Sequence, residues 1–260
     1  MSDVPEMEID AVTDAAPAPT AAMLAIGDEI LSGRTKDRNI GHLAGLLTLS
    51  GIDLKEVRIV ADDTDSIVGA LNALRGAYDF VFTSGGIGPT HDDITADAIG
   101  AAFGIPVTAH PEATERLVAY YRSRDLPYTE ARQRMARTPK GASLIDNPVS
   151  VAPGFRVENV FVMAGVPSIF GAMLDNVLPT LPSGAVMKSV AVVCPFGEGD
   201  IGGPLGEIQK RHPGTAIGSY PKFDGSRYST ELVIRSRDEA AIEAARVEIT
   251  AMIDGLGPRA

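Results

Sequence analysis

The sequence has few of the residues that mark extracellular, membrane or nucleic-acid-binding proteins. Cys194 is the single cysteine among 260 residues, so no intramolecular disulfide can form and a reducing compartment fits. No apolar run is long enough to span a bilayer. The formal charge of −11 argues against a nucleic-acid binder, which is usually basic. We therefore expect a cytoplasmic protein with neither a nucleic-acid nor a membrane partner.

Basic residues are missing from residues 1–20, which carry five acidic residues and then a short run of alanine and proline. This composition is typical of a disordered acidic tail, because it offers little apolar surface to bury. It also lacks the basic start and apolar centre of a signal peptide, so we expect no export.

The remaining sequence alternates strand-like apolar runs with helical patterns. This alternation predicts an α/β fold over residues 21–183, with a doubly wound, mostly parallel sheet and right-handed crossovers. Two further helices are predicted over 111–124 and 128–138. Prolines and glycine near 179–184 indicate a domain boundary. The pattern over 184–260 predicts a small α+β domain.

In a doubly wound sheet, ligands bind beyond the carboxyl ends of the strands. Three loops are expected to converge there, at residues 27–38, 61–64 and 84–92. Glu29 and Asn39 in or next to the first loop are candidate ligand contacts, because a loop at a strand end is where polar groups reach a ligand.

The third loop carries Gly85, Gly86 and Gly88 between a strand-like run and a helix-like run. Glycine leaves the backbone N–H groups open to a ligand, and the start of a helix adds unpaired donors and a positive dipole end. Together these features suit a phosphate group. We expect Gly86 to be open to the ligand, so that a methyl group there blocks the phosphate and leaves the fold intact.

Asp92 and Asp93 follow the glycines. Two carboxylates beside a phosphate would repel it unless a divalent cation lay between them, and Mg²⁺ takes one or two carboxylates together with phosphate oxygens and water. The alternative is that one aspartate caps the following helix, and that the loop is only a glycine-rich turn. The pattern is neither a Walker loop nor a dinucleotide-binding fingerprint.

A basic cluster lies farther along the chain, at Arg132, Arg134, Arg137 and Lys140. In an acidic protein, such a cluster near the expected ligand side favours an anionic ligand. The alternative is a solvated helix face.

Several motifs together resemble a known family. They are residues 27–33 with Asp37 and Asn39, residues 85–90 with 92–95, residues 139–142 with Asn147 and 152–154, residues 165–167, and Tyr220 with Pro221. They resemble the CinA-like (competence/damage-inducible A) proteins, whose larger domain is a molybdopterin-binding domain. The resemblance covers residue 21 to about residue 255. Ser150 stands where this family usually has glycine and Ala164 where it usually has proline, so the substrate is left more open than the fold.

We consider three functions, of which the resemblance implies the first two. The first is cleavage of an ADP-ribose-type pyrophosphate with a divalent metal (Mg, Mn or Co), in which Asp92 and Asp93 hold the cation and Glu29 or Asp62 orients water. The second is binding or adenylylation of molybdopterin, and the third is a non-catalytic nucleotide-binding regulatory module. Longer relatives carry an amidase domain, whose activity we do not expect here. The ligand is thus a small anionic nucleotide or pterin, and the protein is expected to be a homo-oligomer (dimer).

Asp92, Asp93 and Glu29 are the predicted catalytic residues. The residues predicted to bind the ligand are Asn39, Asp62, Gly85, Gly86, Gly88, Thr90, Thr95, Lys140, Asn147 and Gly165.

Overall fold

The structure is a computed structural model, and it describes residues 17–223, 225 and 228–257. Residues 1–16 of the predicted acidic tail lie outside this range. The first strand begins at Thr20, whose backbone N–H and hydroxyl both donate to Asp79 at 2.7 Å. The carbonyl of Pro19 accepts a hydrogen bond from the backbone of Asp53 at 2.8 Å. Pro19 and Thr20 therefore belong to the folded part of the larger domain, just before the predicted boundary at residue 21.

The larger domain alternates strands and helices over much of its length. Its elements, in chain order, are β1 (Thr20–Ile26), α1 (Asp28–Leu31), α2 (Asn39–Leu49), β2 (Asp53–Val60), α3 (Thr64–Ala77), β3 (Phe80–Ser84), α4 (Thr95–Phe103), β4 (Val107–Ala109), α5 (Pro111–Arg122), α6 (Glu130–Arg134), β5 (Arg137–Pro139), β6 (Ser143–Ile145), β7 (Gly154–Val157), β8 (Val160–Met163) and α7 (Pro167–Val177), followed by a short 3₁₀ helix at Leu178–Thr180.

Six of these strands form one sheet in the order β2-β1-β3-β8-β7-β6. The first four strands of this order are parallel to one another. At the edge, β7 runs antiparallel to β8, and β6 runs antiparallel to β7. The predicted doubly wound, mostly parallel sheet is confirmed. Its parallel strands end at one edge, where the loops after β1, β2, β3 and β8 come together.

The side chains of β1 alternate between two apolar layers. Ala22, Leu24 and Ile26 belong to the layer that includes α3 and α4. Ala21 and Met23 belong to the layer that includes α2 and α7. All five are at most 2% exposed. Because helices cover both faces of the sheet, both faces of this strand are apolar, and it appears in the sequence as an unbroken apolar run.

The helix predicted over 128–138 is wrong in its second half. Helix α6 ends at Arg134, and β5 then pairs with β4 in an antiparallel two-stranded sheet that joins Val107 to Pro139. Ala136 and Thr138 are buried in this arrangement. Tertiary pairing therefore overrides a sequence pattern that also fits a helix. The loop predicted after β1 likewise contains the single-turn helix α1.

The smaller domain is α+β, as predicted. Its elements are β9 (Lys188–Cys194), α8 (Glu198–Arg211), β10 (Ala216–Phe223), β11 (Tyr228–Ser236) and α9 (Glu239–Gly255). The strands form an antiparallel sheet in the order β10-β11-β9, and α8 and α9 pack against one of its faces. Arg237 connects the domains, since it pairs with Asp53 at 2.7 Å and donates to the Ala185 carbonyl at 2.8 Å. Within the described residues, no helix combines the length and the apolar character needed to cross a membrane.

Candidate functional site

A cleft of about 600 Å³ lies at the carboxyl edge of the large sheet, where the loops after β1, β2, β3 and β8 meet. The predicted site residues that line it are Glu29, Asp62, Gly85, Gly86, Gly88, Thr90, Asp92, Asp93, Asn147 and Gly165. Lys140 does not line the cleft and is exposed on the turn between β5 and β6. Asn39 and Thr95 are buried beneath the loops and do not line the cleft either.

The glycine loop after β3 is packed tightly from below. Gly85 and Gly86 both have positive φ, at 111° and 67°, a conformation that favours glycine. A Cβ on Gly85 would lie 2.1 Å from the Ile26 carbonyl oxygen, and one on Gly86 would lie 2.0 Å from Thr95 Oγ1. The structure therefore contradicts the expectation that a methyl group at Gly86 leaves the fold intact. This glycine is needed by its own protein neighbours.

Thr95 and Asn39 were predicted to contact the ligand. In the structure, both instead form hydrogen bonds that hold the loops in place. Thr95 Oγ1 donates to the Gly85 carbonyl at 3.0 Å, and Thr95 is fully buried. Asn39 Nδ2 donates to Ser84 Oγ at 2.7 Å and to the Gly165 carbonyl at 2.8 Å. Asn39 thereby joins the start of α2 to the ends of β3 and β8. Both side chains act from beneath the cleft.

The two aspartates have different local roles, and neither caps α4. This helix begins at Thr95, and its N-cap residue, Ile94, has no side-chain cap. Asp93 Oδ2 accepts hydrogen bonds from the backbone N–H of Thr90 at 2.7 Å and from its hydroxyl at 2.5 Å. Asp93 thus closes the turn that follows the glycines. Asp92 is exposed at the surface of this turn.

One wall of the cleft is acidic. Asp62, just after β2, accepts a hydrogen bond from the backbone of Asp28 at 2.9 Å. Partial burial raises the pKa of the Asp62 carboxyl, and the negative charges of Glu29, Asp28 and Asp92 raise it further. The negative charges of these carboxylates therefore repel one another. An anionic ligand is not attracted to such a wall unless a cation accompanies it.

Metal ligands in this cleft are few. Within the described part of the chain, no three His, Cys, Asp or Glu side chains come close enough together to hold a metal ion. The carboxylates of Asp92 and Asp93 are hard oxygen donors, which suit Mg²⁺ or Mn²⁺. The donor set therefore fits a cation that takes most of its ligands from phosphate oxygens and water, and does not fit a cation held by protein alone.

Asn147 lines the cleft, but its amide bonds to its own loop. Its Nδ2 donates to Ser150 Oγ at 2.6 Å and to the Ala152 carbonyl at 2.8 Å. Its Oδ1 accepts from the backbone N–H groups of Val149 and Ser150 at 3.0 and 3.1 Å. Both donors and both acceptor positions of the amide are used. Ser150, the residue that departs from the family pattern, supplies one of these partners.

Part of the cleft lining is apolar, and the sequence patterns did not predict it; we call these residues the apolar wall. Its residues are Ile87, Met135, Val166, Pro167 and Ile169. Single apolar side chains carry no sign in the sequence that separates a cleft wall from the core. The motif at 165–167 and the turn at 85–90 were the available signals, since each brings apolar neighbours along with its glycines.

The basic cluster is largely engaged elsewhere. Arg137 forms two hydrogen bonds with the Asp97 carboxylate, at 3.0 and 2.6 Å. Arg132 donates to the Pro127 carbonyl and lies over the Tyr121 ring. Arg134 alone of the four contacts the glycine loop, through the carbonyl of Asp93 at 3.2 Å.

Family comparisons agree with this geometry. Residues 22–183 match the family described as "Probable molybdopterin binding domain". The chain belongs to this family. Residues 187–256 of this molybdopterin-binding-domain protein match a second family, the middle domain of FAD synthase. The second match covers the small α+β domain.

Individual relatives extend the likeness. A protein from Aeropyrum pernix is 34% identical over 241 residues, which are 88% of this chain and 89% of that protein. A protein from Archaeoglobus fulgidus is 33% identical over 200 residues, 77% of this chain and 85% of that protein. The crystal structure of the protein CinA with unknown function from Thermoplasma acidophilum has 33% identity and a TM-score of 0.57, and covers 61% of this chain and 95% of its own. The resemblance to CinA-like proteins is confirmed.

Proposed function

We propose that this molybdopterin-binding-domain protein is a divalent-metal-dependent pyrophosphatase that acts on a nucleoside diphosphate of the ADP-ribose type. One observation carries the proposal: a glycine loop suited to phosphate and an acidic wall share one cleft. The loop alone would suit any anion. With Asp62 and Asp92 beside it, the ligand requires a cation as well as phosphate groups, and a diphosphate with Mg²⁺ or Mn²⁺ meets both requirements.

In this proposal the loop and the aspartates bind, and the acidic wall handles the proton. The Gly85 N–H donates to the Met163 carbonyl at 3.2 Å, so the backbone N–H groups of Gly86 and Gly88 are the ones that hold the diphosphate. Asp92 and Asp93 would hold the cation together with phosphate oxygens and water. When bound, the cation neutralises phosphate charge and lowers the pKa of a water molecule. Asp62 is the best placed proton acceptor, because its raised pKa makes it more basic than an ordinary aspartate. Glu29 lies beside it and orients the same water.

The reaction balances without a further reactant. Water attacks one phosphorus atom of the diphosphate, and the bond from this phosphorus to the bridging oxygen breaks. The proton of the water passes to Asp62, and the bridging oxygen leaves with the other phosphate. With ADP-ribose, the products are AMP and ribose 5-phosphate.

The family match favours a second candidate, which is the binding or adenylylation of molybdopterin in the same cleft. The apolar wall around Ile87 and Ile169 suits any flat ring, whether adenine or pterin. Among the described residues, no aromatic side chain lines the cleft, so stacking does not separate the two rings. The low number of convergent metal ligands favours a third, non-catalytic role as a nucleotide-binding regulatory module.

The test is to incubate the purified full chain with ADP-ribose and Mg²⁺, Mn²⁺ or Co²⁺ and to measure AMP. Asp92→Asn is expected to lower metal-dependent turnover by about tenfold or more, roughly 1.4 kcal/mol. Asp65→Asn makes the same charge change on α3, outside the cleft, and serves as the control.

Each outcome selects one candidate. Formation of AMP that depends on metal and on Asp92 supports the pyrophosphatase. Binding of ADP-ribose without AMP favours the regulatory module, and adenylylation of a pterin phosphate with ATP favours the second candidate. Equal turnover in Asp92→Asn and Asp65→Asn would remove Asp92 from the site.

A further inference from the structure

The segment of residues 134–137, from the last residue of α6 to the first residue of β5, contacts the junction between the glycine loop and α4. Arg137 holds the Asp97 carboxylate in the first turn of α4 with two hydrogen bonds. Arg134 Nη2 donates to the Asp93 carbonyl, at the end of the loop, at 3.2 Å. The segment is itself fixed, because β5 pairs with β4. The two arginines therefore reach both ends of the junction from one rigid support.

Arg134 reaches the loop from outside the ligand cleft. A second cavity of about 10 Å³ lies between the loop and this segment, and Arg134 lines it together with Gly86, Gly88 and Asp93. Arg134 does not line the main cleft, whereas its neighbour Met135 does. A direct contact between the guanidinium and a ligand in the cleft is therefore not what the geometry favours.

We propose that Arg134 is a positioning residue of the ligand site, which holds the Thr90–Asp93 turn in place through the Asp93 carbonyl. It acts through Asp93 and does not touch the ligand. The consequence for ligand binding rests on the proposed function, because this turn carries the two carboxylates assigned to the cation.

The hydrogen bonding of Arg134 supports a specific placement. Its Nε is fully buried and, among the described residues, has no hydrogen-bond partner. A buried donor without a partner is costly, so the packing that holds the guanidinium here works against solvation of this atom. This placement lets the guanidinium form its hydrogen bond to the Asp93 carbonyl. The bond is strengthened because its donor is charged.

Hydrogen exchange on the full chain tests the proposal without any ligand. The amides to follow are those of Thr90 and Asp93, whose hydrogen bonds close the turn. In Arg134→Met they are expected to exchange about tenfold faster than in the parent. Arg132→Met is the matched control, because Arg132 lies on the same helix and its guanidinium donates to the Pro127 carbonyl and lies over the Tyr121 ring. Equal exchange in the two variants would overturn the proposal.

Arg134→Lys keeps the charge and the aliphatic stem but loses the planar guanidinium. Its turn amides are expected to exchange at a rate between those of the parent and Arg134→Met. If Arg134→Met fails to fold, Arg134→Lys decides alone: faster exchange confined to the turn supports the proposal, and parent-like exchange overturns it.

Calorimetric titration with ADP-ribose and Mn²⁺ separates this proposal from the proposed function. Arg134→Met is expected to weaken metal-dependent binding by about tenfold, with binding by Arg132→Met unchanged. Weaker binding with unchanged exchange would mean that Arg134 contacts the ligand directly, and the positioning role would be wrong. If the parent binds no ADP-ribose, the proposed function fails, and the exchange result still decides the role of Arg134.

Discussion

The two sheets of this protein differ in how much of each is covered. Helices pack on both faces of the large sheet, and the central strand β1 is buried from Ala21 to Ile26. Within the described residues, α8 and α9 cover one face of the small sheet, and Val193 on the other face is 74% exposed. A strand covered on both faces can present polar groups to a ligand only where it ends. The cleft lies at that edge, and all of its lining residues belong to the larger domain.

The largest expected effect tests this difference in coverage. Phe161 on β8 is 2% exposed and stacks on Phe82 with ring centroids 5.3 Å apart. Phe161→Ala is expected to lower the free energy of unfolding by about 3–5 kcal/mol, because it leaves a cavity between two fixed layers. Val193→Ala on the open face is expected to change it by about 0.5 kcal/mol or less. Urea unfolding of both variants measures the contrast, and similar losses would show that the open face is covered in solution.

The next effect concerns the edge itself. Gly86→Ala is expected to cost roughly 2–4 kcal/mol, because positive φ and the collision with Thr95 add together. Gly33→Ala is the control, since Gly33 also has positive φ but has nothing within 4 Å of the position of a Cβ. It is expected to cost only the strain, about 1–2 kcal/mol. Thermal unfolding compares the two. Equal losses would mean that Thr95 moves aside and the edge is softer than the rest of the sheet.

Asn39 is expected to give a smaller loss, because it joins loops and does not fill the core. Asn39→Leu leaves the Gly165 carbonyl and the Ser84 hydroxyl without their partner, which costs about 1–3 kcal/mol. Asn176→Leu on the exposed side of α7 is the control. Chemical denaturation reports stability, and hydrogen exchange of the Gly165 turn reports local loosening. Unchanged exchange at this turn would separate Asn39 from the positioning of the cleft.

The smallest effect is electrostatic and depends on pH. The raised pKa of Asp62 means that the folded protein binds its proton more tightly than the unfolded chain does. The stability that this group contributes therefore falls as pH rises from the ordinary carboxyl pKa of 3.8 toward the raised value. Asp62→Asn removes this loss and keeps an acceptor for the Asp28 backbone. Its melting temperature is expected to exceed that of the parent at neutral pH, by an amount worth less than about 1 kcal/mol, and to match it below about pH 3.5.

Asp65→Asn, at an exposed position on α3, controls for the loss of one negative charge. A gain of the same size in that variant would assign the effect to net charge. An Asp62→Asn variant that is less stable than the parent at neutral pH would mean that the acidic wall is not under repulsion.

Much of the large sheet could be predicted because helices cover both of its faces, and a strand covered on both faces appears in the sequence as an unbroken apolar run. The unbroken apolar runs of β1 and β3, each followed by a loop and a helix, indicate parallel strands, and parallel strands place their loops together. The position of the cleft, and its lining by the loops after β1, β2 and β3, follow from that order. The segment after α6 could not be predicted in the same way, because its strand exists only through pairing with β4. A short apolar run that fits both the helical and the strand period adopts the structure set by its tertiary contacts, which here is a strand paired with β4.

The roles within the cleft were harder to predict than its position. Asn39, Thr95 and Asn147 are polar residues near glycines, and the sequence shows no difference between them and ligand contacts. The difference depends on which backbone groups lie within reach once the loops have met. The alternative that Asp92 or Asp93 caps α4 was wrong for the same reason. This helix begins after Ile94, and Asp93 bonds with Thr90 instead. The divalent metal, the catalytic roles, the ligand and the dimer remain predictions.

Cys194 can report on the opening of the small domain. It is fully buried at the end of β9 and is the single thiol of the chain. A thiol reagent can reach it only when the small domain opens, so the labelling rate at low denaturant measures the opening free energy of that domain. The large domain contributes no signal, because it has no thiol to label. Simple absorbance kinetics can thus follow one half of the molecule while the other half stays silent.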